Sequence, residues 1–397
     1  MLKERERILF VVEAMGGGVF TYVVDLTNEL VKSFDVYVAY ATRRQTPENY
    51  KEYFDKRVNL IEVENFGRSI NFTKDIKAFA EIRRIAKEIQ PDAIHLHSSK
   101  AGVLGRWAFN GRKTPLFYTP HGYSFLMANH GALKRIIYKT IEKVSAMRNC
   151  TTISCSEGEH KESLKLTKQA TYVDNGINMK ELDKLIQTVK VEKEHPFTVF
   201  TLGRICYQKN PKQFNDIALA IPDVKFVWVG DGEKREELTA PNIEITGWTE
   251  RKDALKYALQ SDVFMLTSLW EGLPMSLLES MYMKKLCIVS DVIGNRDTIH
   301  TNENGFVCQT TEDFVAAIRK AMTEKDMVDV LTENAYEDVL IKYNTKTMAK
   351  RYSAIYKQGI EKLPQKDVVY FPAKESERIN AVPVTAGASA PIEKLAK

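Results

Sequence analysis

Thr198-Val-Phe-Thr-Leu-Gly-Arg204 is the stretch on which the fold turns. A β-branched and aromatic run ends on a glycine with a basic residue behind it, which reads as a strand feeding a turn at its carboxyl end. Its position matters most. Upstream, Ile8–Val12, Val36–Tyr40, Val58–Val63, Ala93–Leu96, Leu116–Thr119 and Thr151–Ser154 read as strands, with helical patterns such as Asp75–Ile89 and Leu133–Met147 between many of them. At Thr198 the alternation begins again and continues through Val224–Val229, Ile243–Thr246, Val263–Thr267 and Leu286–Ser290. Strand–helix alternation gives parallel sheets with helices on both faces. Two successive sets therefore predict two doubly wound α/β domains, 1–180 and 195–344, joined through the charged, poorly patterned Asn178–Pro196. Thr345–Glu361 reads as a long closing helix within a final segment 345–371, and 372–397, rich in Ala, Pro and Ser, is expected to form no core.

A length of 397 residues suits two cores better than one, and 44% hydrophobic with 27% charged residues is an ordinary globular balance. No apolar run approaches the length that spans a bilayer, and the charged start, Met1 to Arg7, does not read as a signal peptide. Five cysteines with no C-x-x-C pair argue against a disulfide framework or a zinc site and fit a reducing cytoplasm.

Ligands of open α/β sheets bind beyond the carboxyl ends of the strands, so motifs at those ends carry the most weight. Glu271-Gly-Leu-Pro-Met-Ser-Leu-Leu-Glu279 follows the strand Val263–Thr267 and opens a helix. Pro274 suits the first helical turn, and the free N–H groups there form an anion site suited to a diphosphate. Glu271 stands on the loop before the helix, and Glu279 lies about five residues past Pro274, about 7–8 Å along the axis, so the two carboxylates can reach hydroxyls on opposite sides of that diphosphate. Arg204, at the end of the opening stretch, is followed five residues later by Lys209: a planar fork and a point charge where a phosphate should sit. Gly16-Gly17-Gly18 after the first strand lets backbone approach a ligand closely. Thr119-Pro-His121-Gly122 ends another strand and should face the same cleft, whereas His95 and His97 read as core or hydrogen-bonded residues. The chain contains no G-x-G-x-x-G, which argues against a nicotinamide dehydrogenase, and no D-x-D, which leaves a hard cation no obvious carboxylate cage. Ser98, Ser156 and the cysteines have no triad-like context.

These residues resemble the retaining nucleotide-sugar glycosyltransferases of family four, which have the GT-B fold of two Rossmann-like domains. The resemblance runs over roughly residues 5 to 360 and rests on Gly16–Gly18, His121-Gly122, Asn175-Gly176-Ile177, Gly203-Arg204 with Lys209, Gly230-Asp231-Gly232, Gly247-Trp248, Glu271 through Glu279 and Gly294. The stretch His97–Arg106 with Thr119–Gly122 looks like the capsule and exopolysaccharide branch. The resemblance implies that Glu271 contacts donor-sugar hydroxyls, Glu279 holds the donor ribose, Arg204 and Lys209 bind the diphosphate with help from backbone at Gly16, Gly17 and Leu277, and His121 lines the sugar site. Base choice falls to the surroundings of Gly247-Trp248. It further implies front-face transfer without a metal or other cofactor, from a nucleotide-diphosphate sugar, a UDP-sugar foremost, to a glycan acceptor linked to polyprenyl diphosphate. Asp297 stands where the family more often has Glu, and Asn178 where Asp is commoner. A sugar-nucleotide epimerase or hydrolase on the same fold and a non-catalytic binding subunit are the alternatives.

The net charge of +5 is unevenly spread, for residues 99–148 hold nine Lys and Arg against one acid, Glu142, with seven interleaved aromatic residues. We expect that stretch to meet an anionic membrane surface at the inner face of the cell membrane, and no nucleic acid. Within it Leu133, Ile136, Ile137, Ile141 and Val144 share one helical stripe, which can face lipid or pack on the first sheet.

Overall fold

In the computed structural model, which describes residues 5–362 apart from 44–45, 68–70, 128 and 193, the two strand sets form two separate parallel sheets. The segment after 362, including the expected 372–397 tail, lies outside the described residues.

The first domain runs β1 (Arg7–Met15), α1 (Gly17–Leu30), β2 (Asp35–Thr42), β3 (Asn59–Glu62), α2 (Phe72–Ile89), β4 (Ala93–His97), α3 (Ser99–Ala108), β5 (Leu116–Thr119), α4 (Ala132–Ala146), β6 (Thr151–Ser154), α5 (Glu157–Leu164) and β7 (Ala170–Tyr172). Its strand order is β3-β2-β1-β4-β5-β6-β7. The order reverses between β1 and β4, so the loops after those strands flank the crevice where ligands bind. Ile8–Val12 of β1 are fully buried because both faces are covered. Phe10, Val12, Val23 and Leu26 make one core, and Leu9, Val11, Ile82, Leu96 and Tyr118 the other.

The second domain follows through α6 (Met179–Gln187), β8 (Thr198–Leu202), α7 (Pro211–Ala220), β9 (Lys225–Val229), β10 (Ile243–Ile245), α8 (Arg251–Leu259), β11 (Val263–Leu266), α9 (Met275–Tyr282), β12 (Leu286–Ser290), β13 (Phe306–Cys308), α10 (Thr311–Thr323), α11 (Lys325–Ile341) and α12 (Thr345–Glu361). Its order, β10-β9-β8-β11-β12-β13, reverses between β8 and β11.

Three features differ from the sequence reading. The three-residue edge strands β7 and β13 are not among the strands read from the sequence. Part of the expected linker is the helix α6, whose Leu182, Leu185 and Ile186 pack into the second domain's core. The closing helix α12 returns to the first domain, where Tyr352 and Tyr356 are buried against Phe10, Phe34 and Phe117. Tyr22 Oη donates to Tyr352 Oη at 2.6 Å, and His95 bridges Tyr356 Oη (2.6 Å) and Thr119 Oγ1 (2.9 Å). The chain thus crosses between domains twice, and the crossings lie side by side. Ile177 N donates to Tyr343 O at 2.9 Å and Thr345 N to Ile177 O at 3.1 Å. A side chain at Gly176 would come within 2.4 Å of the Asn344 backbone, so this contact needs glycine.

Candidate active site

On the second domain, the loop after β8 is pinned to the loop after β11. Thr267 Oγ1 donates to Lys209 O (2.8 Å), Leu269 N to Gln208 O (2.8 Å) and Gln208 Nε2 to Trp270 O (2.9 Å). This alignment brings Lys209 Nζ to 2.7 Å from Glu271 Oε1, which also accepts from Ser268 Oγ at 2.7 Å. Both charged side chains are largely buried, and such a pair holds only when each charge is matched. Gly203, at φ +145°, lies under the lysine stem, with its absent Cβ 3.5 Å from Lys209 Cε. Arg204, placed by the sequence on a phosphate, lies half-exposed against Glu233, with Nε donating at 2.9 Å.

Glu279 is buried on α9, and one of its oxygens, Oε1, accepts from Arg251 Nη2 at 2.7 Å. Glu181 of α6 and Asp25 of α1 act on the same guanidinium, whose pKa is raised: burial works against its charge, and Glu279 foremost more than offsets that. Burial, aided by Glu181 and Glu279 and opposed by Arg251, pushes the Asp25 carboxyl well above the usual range. At the start of α9, Leu277 N already donates to Pro274 O at 3.2 Å, so the N–H groups of Met275 and Ser276 precede the first bond of that helix. Gly247, at φ +74°, bridges Gly230 and presents Trp248, which is 66% exposed.

The first domain contributes the facing wall. α1 starts on Gly17, at φ +56°, and a side chain at Gly17 or Gly18 would meet nothing within 4 Å. Gly16 caps that helix with no side-chain partner for its first N–H groups, a backbone suited to anions. His121 adopts φ +55°, a strained conformation for a non-glycine residue. Glu159 holds it there, for its buried carboxylate accepts from Gly122 N (2.7 Å) and Cys155 N (2.8 Å). The His121 ring takes the edge of Tyr22 and shares a hydrogen bond with His97, Nε2 to Nδ1 at 3.0 Å. Burial pushes the His121 pKa down to about 3, so the ring is neutral at ordinary pH.

The two walls meet at glycines. A side chain at Gly272 would stand 2.9 Å from Cys155 Sγ and 3.3 Å from Gly122 N, so the Glu271-Gly272 loop lies directly on the His121-Gly122 turn. Asp297, the residue that departs from the family pattern, reaches across as well: its Oδ2 accepts from Gly158 N of α5 (2.9 Å) and from Gly294 N (3.1 Å). Lys209, Glu271 and His121 are thus brought together, and Glu279 lies on α9 beside Arg251. Sequence reasoning missed Arg251, Glu159 and Ser268. Nothing in their local sequence marks them, because their role is set by which carboxylate or turn the fold brings to them.

Residues 16–181 match the sequence profile described as Glycosyltransferase Family 4, and residues 183–338 the one described as Glycosyl transferases group 1. The chain belongs to the family-four glycosyltransferases. This glycosyltransferase is 29% identical over 338 residues, 77% of its length and 85% of the other's, to a UDP-Gal:alpha-D-GlcNAc-diphosphoundecaprenol alpha-1,3-galactosyltransferase of Escherichia coli. It shares its fold with sucrose-phosphate synthase from Thermosynechococcus elongatus at a TM-score of 0.75 and 17% identity, covering 89% of this chain and 99% of that one. Anabaena HepE in complex with UDP and glucose superposes at a TM-score of 0.70 and 16% identity, covering 89% and 100%.

Proposed function

We propose that this glycosyltransferase moves a hexose with retention from a UDP-sugar to a glycan carried on polyprenyl diphosphate, at an anionic membrane surface, in bacterial surface polysaccharide synthesis. The observation that carries the reading is the convergence of Lys209, Glu271 and the His121-Gly122 turn at one glycine-lined contact between the domains. Lys209 and Arg204, with N–H groups at the starts of α1 and α9, meet the charge that develops on the departing diphosphate. Glu271 accepts from hydroxyls of the transferred sugar, Glu279 from the ribose. Neutral His121 offers one N–H to the sugar and is no strong base. The acceptor hydroxyl enters on the face the diphosphate leaves, and a donor phosphate oxygen takes its proton. The Escherichia coli relative, whose name gives UDP-Gal as donor and a diphosphoundecaprenol-linked sugar as acceptor, supports both substrate classes.

The membrane part rests on α4. Its polar line packs inward: Glu142 and Ser145 are buried, and Arg135 Nε donates to Phe125 O. Its apolar stripe faces outward, with Leu133 73%, Ile136 62%, Ile137 46% and Val144 45% exposed, and Met147 extends the patch. Arg106, one of the basic residues of this stretch, is internal and pairs with Glu142 at 2.6 Å, which removes the single acid from the surface with it. Among the described residues no helix is long and apolar enough to cross a membrane.

The test is incubation with a panel of labelled nucleotide sugars, with and without a short polyprenyl-diphosphate-linked sugar. Transfer from a UDP-hexose to the lipid-linked acceptor, with α-configuration kept and with EDTA present, is the expected result. Sugar release or epimerisation without acceptor would point to the hydrolase or epimerase. Turnover abolished by EDTA and restored by magnesium would remove the metal-independent scheme.

A further inference from the structure

We propose that Arg251 is a positioning residue for nucleotide recognition: it fixes the Glu279 carboxylate so that Oε2 is left for the vicinal hydroxyls of a ribose. The inference rests on the reading of Glu279 as the ribose contact, and adds what makes that carboxylate usable.

Glu279 lies on α9 with its side chain 9% exposed. A carboxylate so far from water needs a partner, or it takes up a proton and ceases to be a pure acceptor. Arg251 is that partner. It opens α8, three residues after the exposed Trp248, so the cation follows directly on the Gly247-Trp248 turn. Arg251 Nη2 donates to Oε1 at 2.7 Å, and this is the hydrogen bond drawn by Glu279's side chain among the described residues. A carboxylate has two oxygens and about four acceptor directions, so Oε2 stays available. The planar guanidinium fixes the orientation of the carboxylate better than an ammonium would, because its donors are held in one plane.

Glu181 on α6 and Asp25 on α1 also act electrostatically on this guanidinium, after Glu279, with burial working against its charge. Asp25 belongs to the first domain, two helical turns beyond the Gly17 start of α1, where the diphosphate is expected. Removing Arg251 should spoil recognition of the ribose hydroxyls and leave the diphosphate contacts at Lys209 intact.

The comparison that tests this is calorimetric binding of UDP against 2′,3′-dideoxyuridine diphosphate. Wild type should prefer UDP by about tenfold or more, the worth of one charged hydrogen bond to a hydroxyl. Arg251→Ala should lose most of that preference through weaker UDP binding, with affinity for the dideoxy compound unchanged, and should raise the donor KM more than it lowers kcat. Arg251→Lys should recover part of the preference. If Arg251→Ala does not fold, Arg251→Gln, which keeps donors without charge, takes its place in the same comparison. A wild-type preference retained in the folded Arg251 variant overturns the proposal. A preference retained in Glu279→Ala, or no UDP binding by wild type, overturns the ribose reading beneath it, and the two failures are distinguishable.

Discussion

Lys209 and Glu271 neutralise each other at 2.7 Å in a largely buried setting, so removing either leaves a stranded charge. Lys209→Ala should therefore cost about 3 kcal/mol of stability besides weakening donor binding ten- to a hundredfold. The double change Lys209→Met with Glu271→Gln separates these roles. It removes both charges, so urea unfolding should show most of the stability recovered, while turnover stays at background. His121 is the other residue whose setting makes a number testable. Burial holds its pKa at about 3, against about 6.5 in an unfolded chain. With a depressed pKa the unfolded state binds the extra proton first. The His121 contribution to stability is thus full above about pH 6.5 and falls by about 1.4 kcal/mol per pH unit below it. The stability gap between wild type and His121→Asn, from urea unfolding at pH 7, 6 and 5, should narrow toward acid. A constant gap would mean that the ring is more open to water than its surroundings imply. The sequence made His121 legible because Pro and Gly bracket it at a strand end. It did not make its hydrogen bond to His97 legible, since that bond depends on two strands being adjacent.

At the scale of elements, α4 shows what a periodicity can and cannot say. The spacing of Leu133, Ile136, Ile137, Ile141 and Val144 marks a helix and its apolar stripe, and the helix Ala132–Ala146 is there. Which face turns inward was open, because the answer lies in partners distant in sequence. Arg106 Nη2 and Tyr118 Oη both donate to Glu142, and Trp107 Nε1 donates to Ser145, so the polar line is the docking face. Burial works against the Arg106 charge, and Glu142 more than offsets it, keeping the pKa raised. The stripe is thus free to enter an interface, where burying such side chains adds about 1–2 kcal/mol each and nearby Lys and Arg about 1 kcal/mol each, screened by salt. Co-sedimentation with anionic vesicles should be strong at low salt. Ile136→Ser with Ile137→Ser should reduce it at all salt concentrations, whereas Lys134→Ser with Lys143→Ser should reduce it at low salt alone. Equal binding to neutral and anionic vesicles, or none to either, would leave the stripe without this role. The strand sets were legible for a simpler reason: buried parallel strands are continuous β-branched and aromatic runs, and the reading passed over only the short edge strands β7 and β13.

Across the whole molecule, the domain count could be read from the repeat of the strand–helix pattern, but not the way the domains are fastened. The fastening is made of contacts between residues distant in sequence: a backbone crossing at Ile177 and Asn344, two tyrosines of α12, and Asp297. Asp297 binds the N–H of Gly158 in the first domain and of Gly294 in its own, with one oxygen on the amino end of α5, where the helix dipole favours negative charge. A side chain at Gly158 would stand 2.6 Å from that carboxylate, so the contact needs both a short acid and a glycine. An Asp at 297 in place of the commoner Glu is then matched to the close approach of α5. Asp297→Ala should loosen the interface by about 1–3 kcal/mol, the cost of unpaired buried donors. Gly158→Ala should do similar damage by pushing the carboxylate away. Because both changes act on one contact, their effects should not add: Gly158→Ala introduced into Asp297→Ala should cost little more, in urea unfolding and in donor KM alike. Additive losses would mean that Gly158 is needed for the geometry of α5 itself, and that the fastening between the domains lies in the paired crossings alone.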